Sequence, residues 1–275
     1  MIRSPLRYPG GKSRAVEKIA ALIAPFDEFR EPFVGGGSVF IHLKQKFPRK
    51  NFWINDIYTN LAVFWQEIQN NSDSVIRQIW DWKSNFQNGK EIHKFLRENK
   101  SEFNRIEQAA AFFVFNRITF SGTTEAGGFS IQAFEKRFTD SSIERLEKMP
   151  EVLQDVKITN LDYEKVISAD GENVFLFLDP PYFSATSSAL YGKNGNLHKT
   201  FDHERFAETL RRCPHRWLLT YDDSPYVREL FSFANVADWN LMYGMRNITE
   251  NSSQKATELF ISNYAPDELF AASGI

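Results

Sequence analysis

Cysteine is nearly missing from this 275-residue chain, where Cys213 stands alone. A single thiol excludes an intramolecular disulfide and any multi-cysteine metal site. The histidines, His42, His93, His198, His203 and His215, are scattered without metal-ligand spacing. No apolar run approaches the roughly 18 residues of a membrane span, and the opening Met-Ile-Arg-Ser-Pro lacks the apolar stretch of a secretion signal. An excess of one charge is lacking too. The net charge is −2 and the pI about 6.3, so no global positive field marks a nucleic-acid binder. These absences lead to the expectation of a soluble monomer in the reducing cytoplasm, without metal and without a membrane partner.

Hydrophobic residues make up 42% and charged residues 25%, enough for a full core in one large domain. Aromatic residues are plentiful at 15%, with 26 Phe, 9 Tyr and 6 Trp. Most of them must be core, but a surplus suits a protein that stacks against bases. Local charge adds a little. Arg3, Arg7, Lys12 and Arg14 occur in the first 16 residues without an acid among them, and Lys44, Lys46, Arg49 and Lys50 form a second cluster. Such runs are usually solvated faces and permit phosphate contacts without requiring them.

Along the chain, helical spacing over 13–24 follows Ser13 as an N-cap, and 28–34 reads as a strand running into Gly35-Gly36-Gly37. A helix over 38–46 and a strand over 51–55 ending at Asp56 complete the opening of a parallel α/β sheet. From about 60 to 156 the pattern is helical, at 61–70, 74–84, 91–99, 105–118 and 140–149. Residues 119–131, with Gly122, Gly127 and Gly128 among Thr and Ser, read as a hairpin or loop. Strand signals return at 157–161, 173–178, 216–220, 235–242 and 257–263, with a crossover helix at 203–213. The run 173–178 is apolar and unalternating, as a parallel strand covered on both faces should be. The expected architecture is one Rossmann-like α/β domain (1–60 and 157–275) interrupted by a mainly helical insert (61–156).

Three motifs carry chemistry. Glu31-Pro32-Phe33-Val34-Gly35-Gly36-Gly37 is a glycine turn after the first strand, where the backbone can approach a ligand closely. It is not the dinucleotide fingerprint, because position 40 is Phe. Asp56, at the end of the second strand, stands where a carboxylate binds ribose hydroxyls; the competing reading of Asn55-Asp56 is a cap for the segment beginning at Thr59, and the glycine turn with Asp56 favours a nucleoside cofactor. Most telling is Asp179-Pro180-Pro181-Tyr182 after the apolar strand. Two prolines stiffen the backbone and donate no N–H, leaving Asp179 and the Pro180 carbonyl as fixed acceptors beside an aromatic face. An exocyclic amine conjugated to a base is a poor nucleophile. Acceptors drawing on its hydrogens restore electron density to the nitrogen, and Tyr182 can stack on the ring.

In this order the motifs resemble the Dam-type DNA adenine methyltransferases (the alpha class, or D12 family), whose target-recognition insert precedes the catalytic motif. Arg7-Tyr8-Pro9-Gly10-Gly11-Lys12 resembles the family's N-terminal cofactor motif, Leu161-Asp162-Tyr163 its acidic–aromatic pair, and Phe115-Asn116-Arg117 the helix end leading into the recognition hairpin. Residues 255–264 resemble its closing strand. The resemblance implies an enzyme that transfers a methyl group from S-adenosyl-L-methionine to the N6 amine of adenine in double-stranded DNA, with the base flipped out of the helix. It implies no covalent enzyme intermediate.

Cofactor-binding residues implied in this way are Tyr8, Gly10, Lys12, Glu31, Phe33, Gly35, Gly37, Asp56, Asp162 and Asp179, with Tyr8 and Lys12 at the methionine end. The catalytic set is Asp179, Pro180, Pro181 and Tyr182. DNA contacts fall to Asn116, Arg117, Thr123, Thr124, Ser130, Lys136, Arg137, Lys193, Lys199 and Lys255. A cognate restriction endonuclease is a genetic partner by the same implication. Family members specific for GATC carry a basic residue in a longer hairpin to read guanine. Here 119–131 contains no Arg or Lys, which leaves GATC without its expected reader. N4-cytosine methylation is the nearest rival, although Ser is typical there at the first motif position. A catalytically silent nucleic-acid-binding module of the same fold is the other alternative.

Overall fold

A computed structural model describes residues 1–8, 10–86, 88–122, 124, 127–183, 201–240 and 257–265. Thr123, Lys193, Lys199 and Lys255 lie outside the described residues, as do the polar segments 184–200 and 243–256. In chain order the chain forms α1 (Val16–Leu22), β1 (Glu28–Glu31), α2 (Ser38–Lys46), β2 (Asn51–Asn55), α3 (Thr59–Asn85), α4 (Gly89–Asn99), α5 (Arg105–Ile118), α6 (Ile131–Arg137), α7 (Asp140–Glu144) and α8 (Met149–Leu153). It continues with β3 (Val156–Thr159), α9 (Tyr163–Ile167), β4 (Val174–Leu178), α10 (His203–Arg212), β5 (Arg216–Asp222), α11 (Pro225–Leu230), β6 (Asn235–Asn240) and β7 (Thr257–Ser262).

The strands make one sheet in the order β3-β2-β1-β4-β5-β7-β6. The first five are parallel, while β7 runs antiparallel to both β5 and β6. From β1 the chain steps outward to β2 and β3, then returns to place β4 on the other side of β1. The reversal opens a crevice at the carboxyl ends of β1 and β4, the usual binding place in such sheets.

Strand β4 (Val-Phe-Leu-Phe-Leu) is buried throughout. Val174, Leu176 and Leu178 face a layer containing Phe206, Leu210 and Trp217, while Phe175 and Phe177 face a second layer with Phe29 and Phe40. Full burial of each such side chain contributes about 1.5–3 kcal/mol, which anchors the strand that presents Asp179-Pro180-Pro181-Tyr182.

Several expectations are corrected. Ser13 does not cap α1: it lies inside a 3-10 turn, Lys12–Arg14, that precedes the helix. The segments 61–70 and 74–84 belong to the single α3, which is interrupted only at Asn71 (φ −139°, ψ 32°), where the side chain donates to Glu67 Oε2 at 2.7 Å. Of the hairpin or loop expected at 119–131, the described residues form no strand ladder. A 3-10 turn, Phe120–Gly122, is pinched by one antiparallel bridge between Thr119 and Phe129. Helix α6 follows, unanticipated, capped by the Ser130 hydroxyl accepting from Ala133 N–H. No described helix is long and apolar enough to cross a membrane.

Candidate active site

The glycine turn after β1 is shaped by backbone conformation. Gly35 (φ +46°) and Gly37 (φ +65°) both adopt left-handed geometry, which glycine enters without the Cβ penalty. At Gly35 a Cβ would also lie 2.9 Å from the Tyr8 ring, so the N-terminal motif packs directly onto the turn. Asp56 ties the turn to β2: Oδ2 accepts from Gly35 N–H at 3.1 Å and Oδ1 from Tyr58 N–H at 2.9 Å. Burial pushes the Asp56 carboxyl up to about 6 despite those two hydrogen bonds. Glu31 accepts from Phe40 N–H at 3.0 Å. Burial drives its carboxyl well above the ordinary range against that bond, and the nearby Asp179 and Asp56 add to the effect. Asn55, which the sequence offered only as part of a cap, ties the loops at Pro32 and Leu161 to the end of β3. Its amide donates to Pro32 O and Leu161 O and accepts from Leu161 N–H and the Thr159 hydroxyl.

Across the crevice, Asp179 follows β4. Its Oδ1 lies 2.8 Å from Lys12 Nζ and accepts the Thr220 hydroxyl at 2.8 Å. Lys12 is buried and distributes its three donors: besides Asp179 it reaches Tyr182 Oη at 2.9 Å and Gly10 O at 3.0 Å. The ring of Tyr182 stacks near-parallel on Tyr221, with centroids 5.7 Å apart. The next residue is anchored as well, since Phe183 N–H donates to Asp222 Oδ1. Asp162 caps α9 by accepting from Glu164 N–H and makes a two-pronged pair with Arg205, at 2.9 and 3.1 Å. Phe33 packs against Tyr163 and the edge of Phe206.

Between the glycine turn and Asp179 lies a cavity of about 450 Å³, within the range that holds a small molecule. Its wall brings together Tyr8, Gly10, Lys12, Glu31, Phe33, Gly35, Gly37, Asp56, Asp162 and Asp179 with Pro180, Pro181 and Tyr182. The wall also carries Arg205, for which the sequence offered no motif.

With this geometry in view, comparison with known proteins is decisive. The model of the D12 class N6 adenine-specific DNA methyltransferases matches residues 8–245. The chain belongs to this family. It is 26% identical over 238 residues to the DNA N-6-adenine-methyltransferase of Escherichia phage P1, covering 83% of this chain but 31% of the phage protein. It is 24% identical over 284 residues to a type II methyltransferase of Lactococcus lactis subsp. cremoris, covering 96% of each. With the DNA adenine methylase of Vibrio cholerae serotype O1 it shares 25% identity over 265 residues, or 91% of each chain. The family's specificity is N6 of adenine, as the Asp179 tetrapeptide suggested, and these relatives lend nothing to the N4-cytosine alternative.

In this methyltransferase the residues expected to meet DNA are spread over different environments. Asn116 is fully buried, and its amide is spent on the backbone of Arg7 and on Gly122 O. A direct DNA contact by Asn116 is therefore corrected to an internal clasp. Arg117 is also buried, its guanidinium 5.2 Å from the Phe113 ring centroid, yet Nε and Nη2 find no hydrogen-bond partner among the described residues. Thr124 is buried with φ +50°. Ser130 serves as the cap of α6, whereas Lys136 and Arg137 in the last turn of that helix are exposed. Phe120, which belongs to none of the motifs, is 72% exposed beside the bridge that pinches the loop.

Proposed function

We propose that the cavity binds S-adenosyl-L-methionine and that the chain methylates N6 of an adenine flipped out of duplex DNA. The observation carrying this is that the Asp179 carboxylate stands on the wall of the same cavity as the glycine turn and Asp56. The donor set fits the cofactor. Asp56 offers a carboxylate to ribose hydroxyls, Asp162 one to an adenine amine, and Phe33 an apolar face between them. When bound, the cofactor supplies an electrophilic methyl group.

The chain's own residues prepare the nucleophile. Asp179 and the Pro180 carbonyl accept hydrogen bonds from the N–H groups of the target amine, drawing electron density onto nitrogen and aligning it for a direct displacement. Tyr182, braced by Tyr221, stacks on the flipped base and returns about 1–3 kcal/mol of the unstacking cost.

Residues 61–156 serve as the target-recognition insert between catalytic segments 1–60 and 157–275. In support, the sheet leaves off at β2 and resumes at β3, and the described residues between are mainly helical. Exposed Lys136 and Arg137 suit phosphates, and Phe120 suits insertion between bases. The Lactococcus relative's type II name supports a cognate restriction endonuclease as genetic partner. Expression in cells without adenine methylation, followed by modification-detecting DNA sequencing, tests the whole reading. N6-methyladenine in one fixed context is expected, and N4-methylcytosine alone would overturn it.

Two results follow from the electrostatics. Because burial raises Asp56 to about 6, the acceptor that ribose needs is mostly protonated at pH 5 and ionised at pH 8. Calorimetric affinity for S-adenosylhomocysteine should thus be about tenfold weaker at pH 5, following the competent fraction. A flat profile would argue against Asp56 as the ribose ligand.

Arg117 is the second case. Burial, together with Arg145, Arg7 and Arg137, pushes its guanidinium down to about 9, so the charge costs stability at neutral pH. Arg117→Met should raise the melting temperature without DNA. It should also weaken DNA binding and flatten the salt dependence by about one phosphate contact. An unchanged salt slope would remove Arg117 from the DNA interface.

A further inference from the structure

We infer that Thr220 is the positioning residue for Asp179: its hydroxyl fixes the carboxylate plane so that Oδ2 faces the target amine. The inference rests on the adenine-methylation reading above and deepens it. Thr220 is fully buried on β5, beside the end of β4, where Leu178 and Leu219 are in register. Its Oγ1 is 2.8 Å from Asp179 Oδ1 and 3.4 Å from Leu178 O. Against a carboxylate the hydroxyl must be the donor. Its β-branched side chain is stiff about χ1, so the direction of that donor is set by the strand itself.

Lys12 also reaches Oδ1, but it is a poor guide to orientation. It is a flexible four-carbon stem whose ammonium is shared with Tyr182 Oη and Gly10 O. Both donors fall on the same oxygen, and none of the described residues donates to Oδ2. The carboxylate is thereby sorted into a held oxygen and a presented one. The target amine then meets an acceptor whose plane is already fixed before the base arrives.

The test compares wild type with Thr220→Val, which keeps the shape and removes the donor, and with Thr220→Ser, which keeps the donor. Single-turnover methyl transfer should fall at least about tenfold in Thr220→Val, as expected for losing a hydrogen bond to a charged group. S-adenosylhomocysteine affinity and the KM for DNA should stay within about twofold. Thr220→Ser should return to within about threefold of the wild-type rate. If Thr220→Val does not fold, Thr220→Cys, a weaker donor of similar size, takes its place with the same expected order.

Transfer at the wild-type rate without the hydroxyl, or Thr220→Ser as slow as Thr220→Val, would overturn the inference. A rate loss matched by lost cofactor affinity would overturn it too. A wild-type chain that failed to methylate adenine would instead strike the underlying reading, so the two failures are distinguishable.

Discussion

Asp179→Ala should reduce methyl transfer on the order of 10³-fold or more while S-adenosylhomocysteine still binds. Adenine N6 carries a lone pair delocalised into its ring, so the reaction depends on acceptors that localise it. Removing a preorganised electrostatic partner of the reacting group typically costs 10²- to 10³-fold, and here the Pro180 carbonyl alone would remain. Alanine also strands the buried Lys12 ammonium, which keeps only Tyr182 Oη and Gly10 O, and some stability will be lost with it.

Asp179→Asn separates these effects because it preserves the shape. The donors from Lys12 and Thr220 both require an acceptor at the Oδ1 position, so the amide oxygen settles there. Its NH₂ then points where Oδ2 was, a donor set against the donor hydrogens of the target amine. The isosteric variant should therefore be as inactive as alanine, though better folded. Transfer of labelled methyl groups, read beside calorimetric product binding, checks both variants. Turnover of either within tenfold of wild type would remove Asp179 from the chemistry.

What the sequence revealed was what local pattern controls. Residues 173–178 announced a buried parallel strand through an unbroken apolar run, and the structure has β4 there, with Asp179 directly behind it. Helix α2 and strand β2 occupy the expected residues, because Gly37 and Asp56 punctuate them on either side. Helix α6 escaped notice since its hydrophobic face is weak: Ile131 is 64% exposed and only Ala133 is buried. The insertion of β7 between β5 and β6 is a nonlocal choice that strand propensity does not encode.

At the site, residues embedded in recognisable turns were legible, and they share one cavity. Thr220, Asn55 and Arg205 were not, because each acts on a partner 41, 106 or 43 positions away. The burial of Arg117 was hidden for a related reason. An arginine at a helix end reads as surface, and only the packing against Phe113 shows that it is buried.

The burial of Asn116 leads to the second large effect. Its side chain accepts from Arg7 N–H at 2.8 Å and donates to Arg7 O at 2.6 Å and to Gly122 O at 3.3 Å. Gly122 closes the clasp: with φ +73°, a Cβ there would lie 2.6 Å from Arg7 O. Asn116→Ala strands these backbone groups, at a cost of about 1–3 kcal/mol for each one left unpaired. A total near 3 kcal/mol would lower the melting temperature by about 6–12 °C in a chain of this size.

The functional loss should follow from position. Arg7 leads straight into Tyr8, whose ring packs on Gly35 and Gly36 at the wall of the cavity. Gly122, the other end of the clasp, closes the turn that displays Phe120. Loosening Asn116 should therefore weaken S-adenosylhomocysteine and DNA binding together. Asn116→Asp should fare no better, since a carboxylate cannot donate to the Arg7 and Gly122 carbonyls. A residue that merely touched DNA would lose DNA affinity alone, at an unchanged melting temperature. Calorimetry and thermal melting on the same variant decide between the two roles, and an unaltered melting curve would return Asn116 to the DNA interface.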